Sequence, residues 1–194
     1  MASAQSAWRR PTPAELQAAA GKTVPDILAP GLTVLFCGIN PGLYSAYTGH
    51  HFARPGNRFW PAIQRAGITD RLLSADEDQT LVRYGCGITN LAARATATAA
   101  DLSGSELRAG GERLIALLEQ FHPRALAVLG ITAFRAAFDQ PKAVQGRQPQ
   151  PVGATEIWVL PNPSGLNAHY SLDDLAAIYR EFWLTVTQTP GLLP

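Results

Sequence analysis

At 194 residues and 46% apolar, the chain is one ordinary domain, long enough to bury a core without staples. Two cysteines, with no CxxC or Cys/His cluster, exclude a disulfide framework and point away from zinc or iron–sulfur. A net charge of +1 excludes nucleic-acid binding by bulk charge alone, though not a locally positive face.

Thr12-Pro13-Ala14-Glu15 is a capping box with Pro at the first helical position, and Gly21 is a stop, so a short N-terminal helix is predicted. Leu32–Gly38 is an apolar, β-rich run and reads as a buried strand. The stretch Ile39–Gly56 reads as a long loop. Asn57 then caps a helix, RFWPAIQRA, which Gly67 ends. Ala75–Tyr84 is a further helix, and Cys86–Leu91 a short strand. Ser105–Phe121 is an amphipathic helix stopped by His122-Pro123. Ala125–Gly130 is a strand, Ile131–Phe138 a helix, and Gln140–Gly153 a Pro/Gln/Gly-rich loop. Glu156–Leu160 is a strand and Pro161–Tyr170 a loop. Ser171 and Asp174 start a last capped helix.

Short, fully apolar strands alternating with helices predict an α/β three-layer sandwich with a short, mainly parallel central sheet. The expected organisation is a helical N-terminal extension (1–30), one α/β domain (31–188) and a loose tail (189–194). No apolar run reaches the ~18 residues of a membrane span, and the N-terminus has no long apolar segment of a secretory signal. A cytoplasmic protein with Cys37 and Cys86 as buried free thiols is expected.

The charges are unevenly spread. No acid occurs from Ile27 to Thr69, a stretch carrying Arg54, Arg58 and Arg65, nor from Gln79 to Ala100, which carries Arg83 and Arg94. Glu156 is the only acid from Gln140 to Leu172, where Lys142 and Arg147 lie. Acid-poor loops on one side suit a polyanion; they are equally compatible with loops that simply lack charge. The bases are 14 Arg and two Lys, and Arg favours bidentate phosphate contacts.

Ligands on parallel sheets bind outside the carboxyl ends of the strands. Two loops there are rich in chemistry. The first reads Gly38-Ile39-Asn40-Pro41-Gly42-Leu43 and continues to His50-His51-Phe52-Ala53-Arg54-Pro55-Gly56-Asn57-Arg58-Phe59-Trp60; the second reads Asn162-Pro163-Ser164-Gly165-Leu166-Asn167. From the residues alone, Asn40 is either a turn cap or an amide that holds a water, Phe52 either a core aromatic or an exposed ring face, and Leu166 either an anchor for the next helix or a free apolar tip. There is no GxGxxG after a strand, no GxxxxGK[ST] and no GxSxG elbow.

In order and position, the GINPG and NPSGL elements with the PGNRFW helix start closely resemble the mismatch-specific uracil/thymine-DNA glycosylase family of the uracil-DNA glycosylase superfamily, from about Leu32 to about Trp183. The resemblance implies an enzyme of base excision repair. It would flip uracil, thymine or etheno-cytosine out of duplex DNA and hydrolyse the N-glycosidic bond. It further implies that Asn40 positions the water, that Ile39, Gly42, Ser45 and Phe52 form the base pocket with Phe52 as its stacking face, and that Leu166 is the wedge filling the vacated stack. Ser164 would contact phosphate, Gly165 would let the backbone approach DNA, and Asn167 would read the opposite base. The implied partner is double-stranded DNA with G:U or related mismatches. No metal, cofactor or obligate protein partner is expected of a monomeric enzyme of this kind. No Lys lies near either motif to form a Schiff base, so strand cleavage is not expected.

Two departures stand out. Ala93 occupies a slot that is commonly acidic in the family, just before Arg94, and Asn167-Ala168-His169 replaces the common Ser-Arg after the wedge. Arg94 is then a DNA phosphate contact or a structural donor, and the alternative function is a catalytically weakened protein that binds mismatched or abasic DNA. His50-His51 reads as a polar loop pair or as phosphate contacts, not a metal site, because adjacent histidines diverge and no third ligand is near in sequence.

Overall fold

The apolar runs form strands that are buried at every position in β1 (Val34–Gly38), β2 (Cys86–Asn90) and β3 (Ala125–Leu129). With β4 (Gly146–Arg147) and β5 (Glu156–Leu160) they make one five-stranded sheet in the order β2-β1-β3-β5-β4. Four strands are parallel, and only β4 runs antiparallel, at the edge. This is the expected α/β sandwich. The structure, a computed structural model, describes residues 10–188, so the first nine residues and the 189–194 tail lie outside the described residues.

Period-two alternation splits the strands between two cores. Val34, Phe36, Ile88 and Ala127 face α3 (Phe59–Arg65) and α6 (Leu172–Gln188), where Phe59, Ile63, Tyr179 and Phe182 are buried. Leu35, Cys37, Leu126 and Val128 face α4 (Gly104–Phe121) and α5 (Ile131–Ala137), where Leu114, Leu118 and Phe134 are buried. Cys37 and Cys86 are free and buried, and burial pushes both thiols up. Among the described residues no helix is long and apolar enough to cross a membrane.

The start and stop signals act as their chemistry dictates. Thr12 and Glu15 form the capping box of α1 (Pro13–Gln17), and Ser171 and Asp174 exchange the same bonds ahead of α6. The N-cap of α3 is Arg58, not Asn57 as expected; Asn57, one residue earlier, accepts from Phe59 N–H through Oδ1 at 2.9 Å in a turn that leads into the helix. Three further expectations need correction. The stretch Ile39–Gly56 is not wholly loop: α2 (Leu43–Thr48) forms within it because Gly49 supplies a left-handed stop and Leu43, Ala46 and Tyr47 pack with Ala19 and Ala95. Part of Gln140–Gly153 adds β4 to the sheet edge. Ala75–Tyr84 winds as a 3₁₀ helix, in which Asp78 and Leu81 are buried and Ala75, Val82 and Tyr84 pack partly against the core.

The segment ahead of β1 is built into the sheet. Ile27 bridges Ile88 on the outer side of β2, so the edge strand is covered where the site begins. On the other side α4 comes close enough that a Cβ at Gly110 would lie 2.2 Å from the Leu91 carbonyl oxygen. Ala for Gly gains about 1 kcal/mol in an exposed helix interior, but backbone cannot yield here, and overpacking costs about 1–3 kcal/mol. The clash wins: Gly110→Ala should lower the melting temperature by several degrees in a thermal scan, and an unchanged or raised value would show that α4 is free to shift.

Candidate active site at the carboxyl ends of β1 and β2

The two motif loops leave the carboxyl ends of β1 and β5, which flank β3 in the sheet, and enclose a cavity of about 240 Å³. Ile39, Asn40, Gly42, Ser45, Phe52, Ser164 and Leu166 all line it, so these sequence-predicted residues are brought together. Ala93, Arg94, Gly165 and Asn167 are not part of its wall.

Asn40 sits just past the end of β1 with its amide oriented by three acceptors. Nδ2 lies 2.7 Å from Thr96 Oγ1, 3.1 Å from the Arg94 carbonyl and 3.2 Å from the Pro41 carbonyl. The Thr96 hydroxyl spends its own proton on the Thr98 carbonyl at 2.6 Å, so towards Asn40 it can only accept. The nitrogen is therefore fixed, and Oδ1, to which no described residue donates, is an open acceptor on the cavity wall.

Phe52 has φ of 53°, a left-handed backbone uncommon for an aromatic residue. That turn lays its ring on Phe59 with centroids 4.0 Å apart and 21° between planes. One face is thus backed by the core, and Phe52, half-buried, lines the cavity. Ser45 is buried, and its hydroxyl accepts from Ala53 N–H at 3.2 Å, tying α2 to the Phe52 turn.

Sequence reasoning did not single out Asn90, Asn162 or Thr96, and it misassigned His51. Asn90 ends β2 in register with Gly38 and is buried in the cavity wall. Its side chain explains the glycine, because a Cβ at Gly38 would lie 2.5 Å from Asn90 Oδ1. The signal was available: a polar Thr-Asn pair closing an apolar strand at the carboxyl edge. His51 is only 3% exposed, which corrects its reading as a phosphate-contacting loop residue. Its main-chain N–H donates to the buried Asp78 carboxylate at 3.0 Å, and His50 Nδ1 lies 3.3 Å from the same group. Among the described residues no cluster of three or more His, Cys, Asp or Glu could hold a metal ion.

The second loop is held by Arg58. Its guanidinium donates to the carbonyls of Tyr170, Ser164 (2.6 Å), Asn167 (2.8 Å) and Pro163 (3.4 Å). Within the loop Asn162 Oδ1 accepts from Ser164 N–H, and Asn167 folds back to donate to the Asn162 carbonyl and accept from His169 N–H. Both ends of the Asn167 amide are thereby engaged inside the loop. Gly165 is required by the other loop, since a Cβ there would lie 2.5 Å from the Gly56 carbonyl oxygen. Leu166 is 73% exposed and packs as no anchor for α6.

The arginines of the acid-poor stretches are mostly engaged. Arg65 pairs with Asp173, Arg147 with Glu156, and Arg94 with Glu106 while also donating to the Asp101 carbonyl. The Arg94 guanidinium holds the Glu106 carboxyl down at about 2. Arg94 is thus a structural donor whose carbonyl steadies Asn40, and Glu106 supplies the acid partner that Ala93, itself exposed, does not. Arg54 is exposed on the cavity rim with no ion-pair partner among the described residues.

The sequence family described as the Uracil DNA glycosylase superfamily matches residues 25–186. The chain belongs to the uracil-DNA glycosylase superfamily. A solution NMR structure of a candidate uracil DNA glycosylase from Methanosarcina acetivorans superposes with a TM-score of 0.56 at 17% identity, over 84% of this chain and 98% of that one. At that identity the likeness establishes the shared fold. Within the superfamily frame, the GINPG loop of this member supplies Asn40 and its NPSGL loop supplies Leu166 to the lining of one cavity.

Proposed function

We propose that this superfamily member is a monofunctional, mismatch-directed DNA glycosylase that excises uracil from duplex DNA. The observation that carries the reading is the convergence on one cavity of an open amide acceptor, Asn40 Oδ1, and a core-backed aromatic face, Phe52. An extruded base stacks on Phe52, and a water held by Asn40 Oδ1 faces the sugar. Asn is no strong base, so the step is dissociative. The C1′–N1 bond breaks with its electron pair passing into the pyrimidine ring, the water oxygen bonds C1′, and the proton that water loses is balanced by the one the uracil anion takes up. Free uracil and an abasic site result. Positioning and electrostatics carry such a reaction more than deprotonation does. No lysine lines the cavity to offer a Schiff base. Arg54 on the rim is placed to meet a phosphate.

The test is incubation with duplexes holding one G:U, A:U or G:T pair, followed by alkali to reveal abasic sites. Alkali-labile sites with free uracil in the supernatant are expected, fastest at G:U. Tight mismatch binding with no release would replace this reading with the binding-protein alternative. Leu166→Ala adds a second expected outcome. The side chain is exposed, so stability should stay within about 0.5 kcal/mol. Release from duplex should fall while release from single-stranded DNA is spared, because only a duplex leaves a gap to fill. Equal loss on both substrates would remove Leu166 from the wedge role.

A further inference from the structure

We propose that His51 is a specificity-determining positioning residue: as a neutral imidazole it fixes which end of the Asn90 amide faces the cavity, and so selects pyrimidines carrying a ring N–H over cytosine. The inference rests on the base-pocket reading above and extends it to a residue outside both signature motifs.

The chain of hydrogen bonds begins at the N-terminal segment. His51 Nε2 lies 2.9 Å from the Pro25 carbonyl oxygen, which can only accept, so Nε2 carries the proton. A neutral ring then leaves Nδ1 as a bare acceptor, 3.5 Å from Asn90 Nδ2. Asn90 has little freedom otherwise. Its backbone is fixed in the β1–β2 register, and its carbonyl accepts from Arg113, which is paired with Asp26 at 3.0 Å. Asp26 in turn accepts from Thr89 at 2.9 Å. With Nδ2 turned to His51, Oδ1 lies over Gly38, the position that leaves no room for a Cβ. The polar group offered at that wall, near Phe52, is an acceptor. The imide N3–H of uracil or thymine satisfies it, whereas the N3 lone pair of cytosine opposes it.

The protonation state of His51 follows from its surroundings. Burial pushes its pKa down; the Pro25 bond and the Asp78 and Asp26 carboxylates oppose this, and His50 adds to it. Asp78 faces it from the 3₁₀ segment, Asp26 from the segment beside β2, with Arg113 of α4 behind Asp26; His50 is on its own loop. The ring is neutral at pH 7. Proton uptake at Nδ1 in acid sets two donors against each other and favours the turned amide, which presents Nδ2 to the cavity.

The experiment follows free uracil and free cytosine binding by NMR, through the Asn90 side-chain NH₂ signals and the His51 ring nitrogens, in the parent, His51→Phe and His51→Gln. Phe keeps a ring without an acceptor; Gln can donate to Pro25 and accept from Asn90 but does not titrate. At pH 7.5 the parent should carry its proton on Nε2 and bind uracil at least about tenfold better than cytosine. His51→Phe should lose most of that ratio, and His51→Gln should keep it. A ratio unchanged in a folded His51→Phe, a proton on Nδ1 at pH 7.5, or a parent that does not prefer uracil overturns the inference. Selective uracil binding without release from duplex DNA would overturn the glycosylase reading and leave this inference standing.

Discussion

Asn40→Ala should lower uracil release from a G:U duplex by about 10²–10³-fold under single-turnover conditions, the range seen when one preorganised polar group is removed from a reacting centre. The effect should fall on the rate at saturating enzyme and leave duplex affinity close to the parent's. The reason is the division of labour within one amide. Nδ2 is spent on Thr96, Arg94 and Pro41, and these bonds hold the loop; Oδ1 is the part left for water. Truncation deletes both, yet two of the abandoned acceptors, on Pro41 and Thr96, border a cavity open to water, so the cost in stability should be near that of one ordinary hydrogen bond, about 1 kcal/mol. A rate loss of orders of magnitude beside so small a change in melting cannot come from unfolding. A loss under threefold would mean that the water is held by another group on this wall, and Asn162, which lines the same cavity, would be the next to substitute.

How much of this was legible in the sequence divides along a physical line. Local signals read well. The apolar runs of β1 and β3 became buried parallel strands because burial on both faces leaves no polar alternation to find. The capping boxes of α1 and α6 act through residues three apart, and they formed where read. The motif loops also converge as their placement after β1 and β5 requires. What was not legible depends on partners far along the chain. Arg94 offered no sign that Glu106 would engage it, and Arg65 none that Asp173 would. The acid-poor stretches therefore overstated the free positive charge, since acids arrive from other segments. His51 looked like a polar loop residue because its partners are a carbonyl at Pro25, a carboxylate at Asp78 and an amide at Asn90. Only the folded chain brings those three to one residue.

Arg58→Met should separate two kinds of substrate more sharply than any change inside the cavity. The guanidinium reaches across more than one hundred residues of sequence to carbonyls at Pro163, Ser164, Asn167 and Tyr170, bracketing Leu166 on both sides. These oxygens can turn to water when the donor goes, so the fold should lose about 1–3 kcal/mol. The geometry of the tip cannot be replaced by water. A misplacement of about 1 Å at a positioned group costs on the order of 10²-fold in rate, and Leu166 has no other packing to hold it, being 73% exposed. Release from a fully paired G:U duplex should therefore fall by about 10–10²-fold, while uracil already unstacked, in a single strand or opposite an abasic site, should be released at close to the parental rate. Arg58→Lys should lie between, because an ammonium carries the charge but not the planar fork that spans several carbonyls at once. Parallel losses on both substrates would show that Arg58 supports the whole cavity instead of its second loop. Undiminished release from the duplex would show that the Asn162–Ser164 and Asn167–Asn162 bonds suffice to shape the loop. The distinction matters for how the site works, since the clamp is set by the helix that follows the first motif, and one residue of that helix start would then fix the position of the proposed wedge.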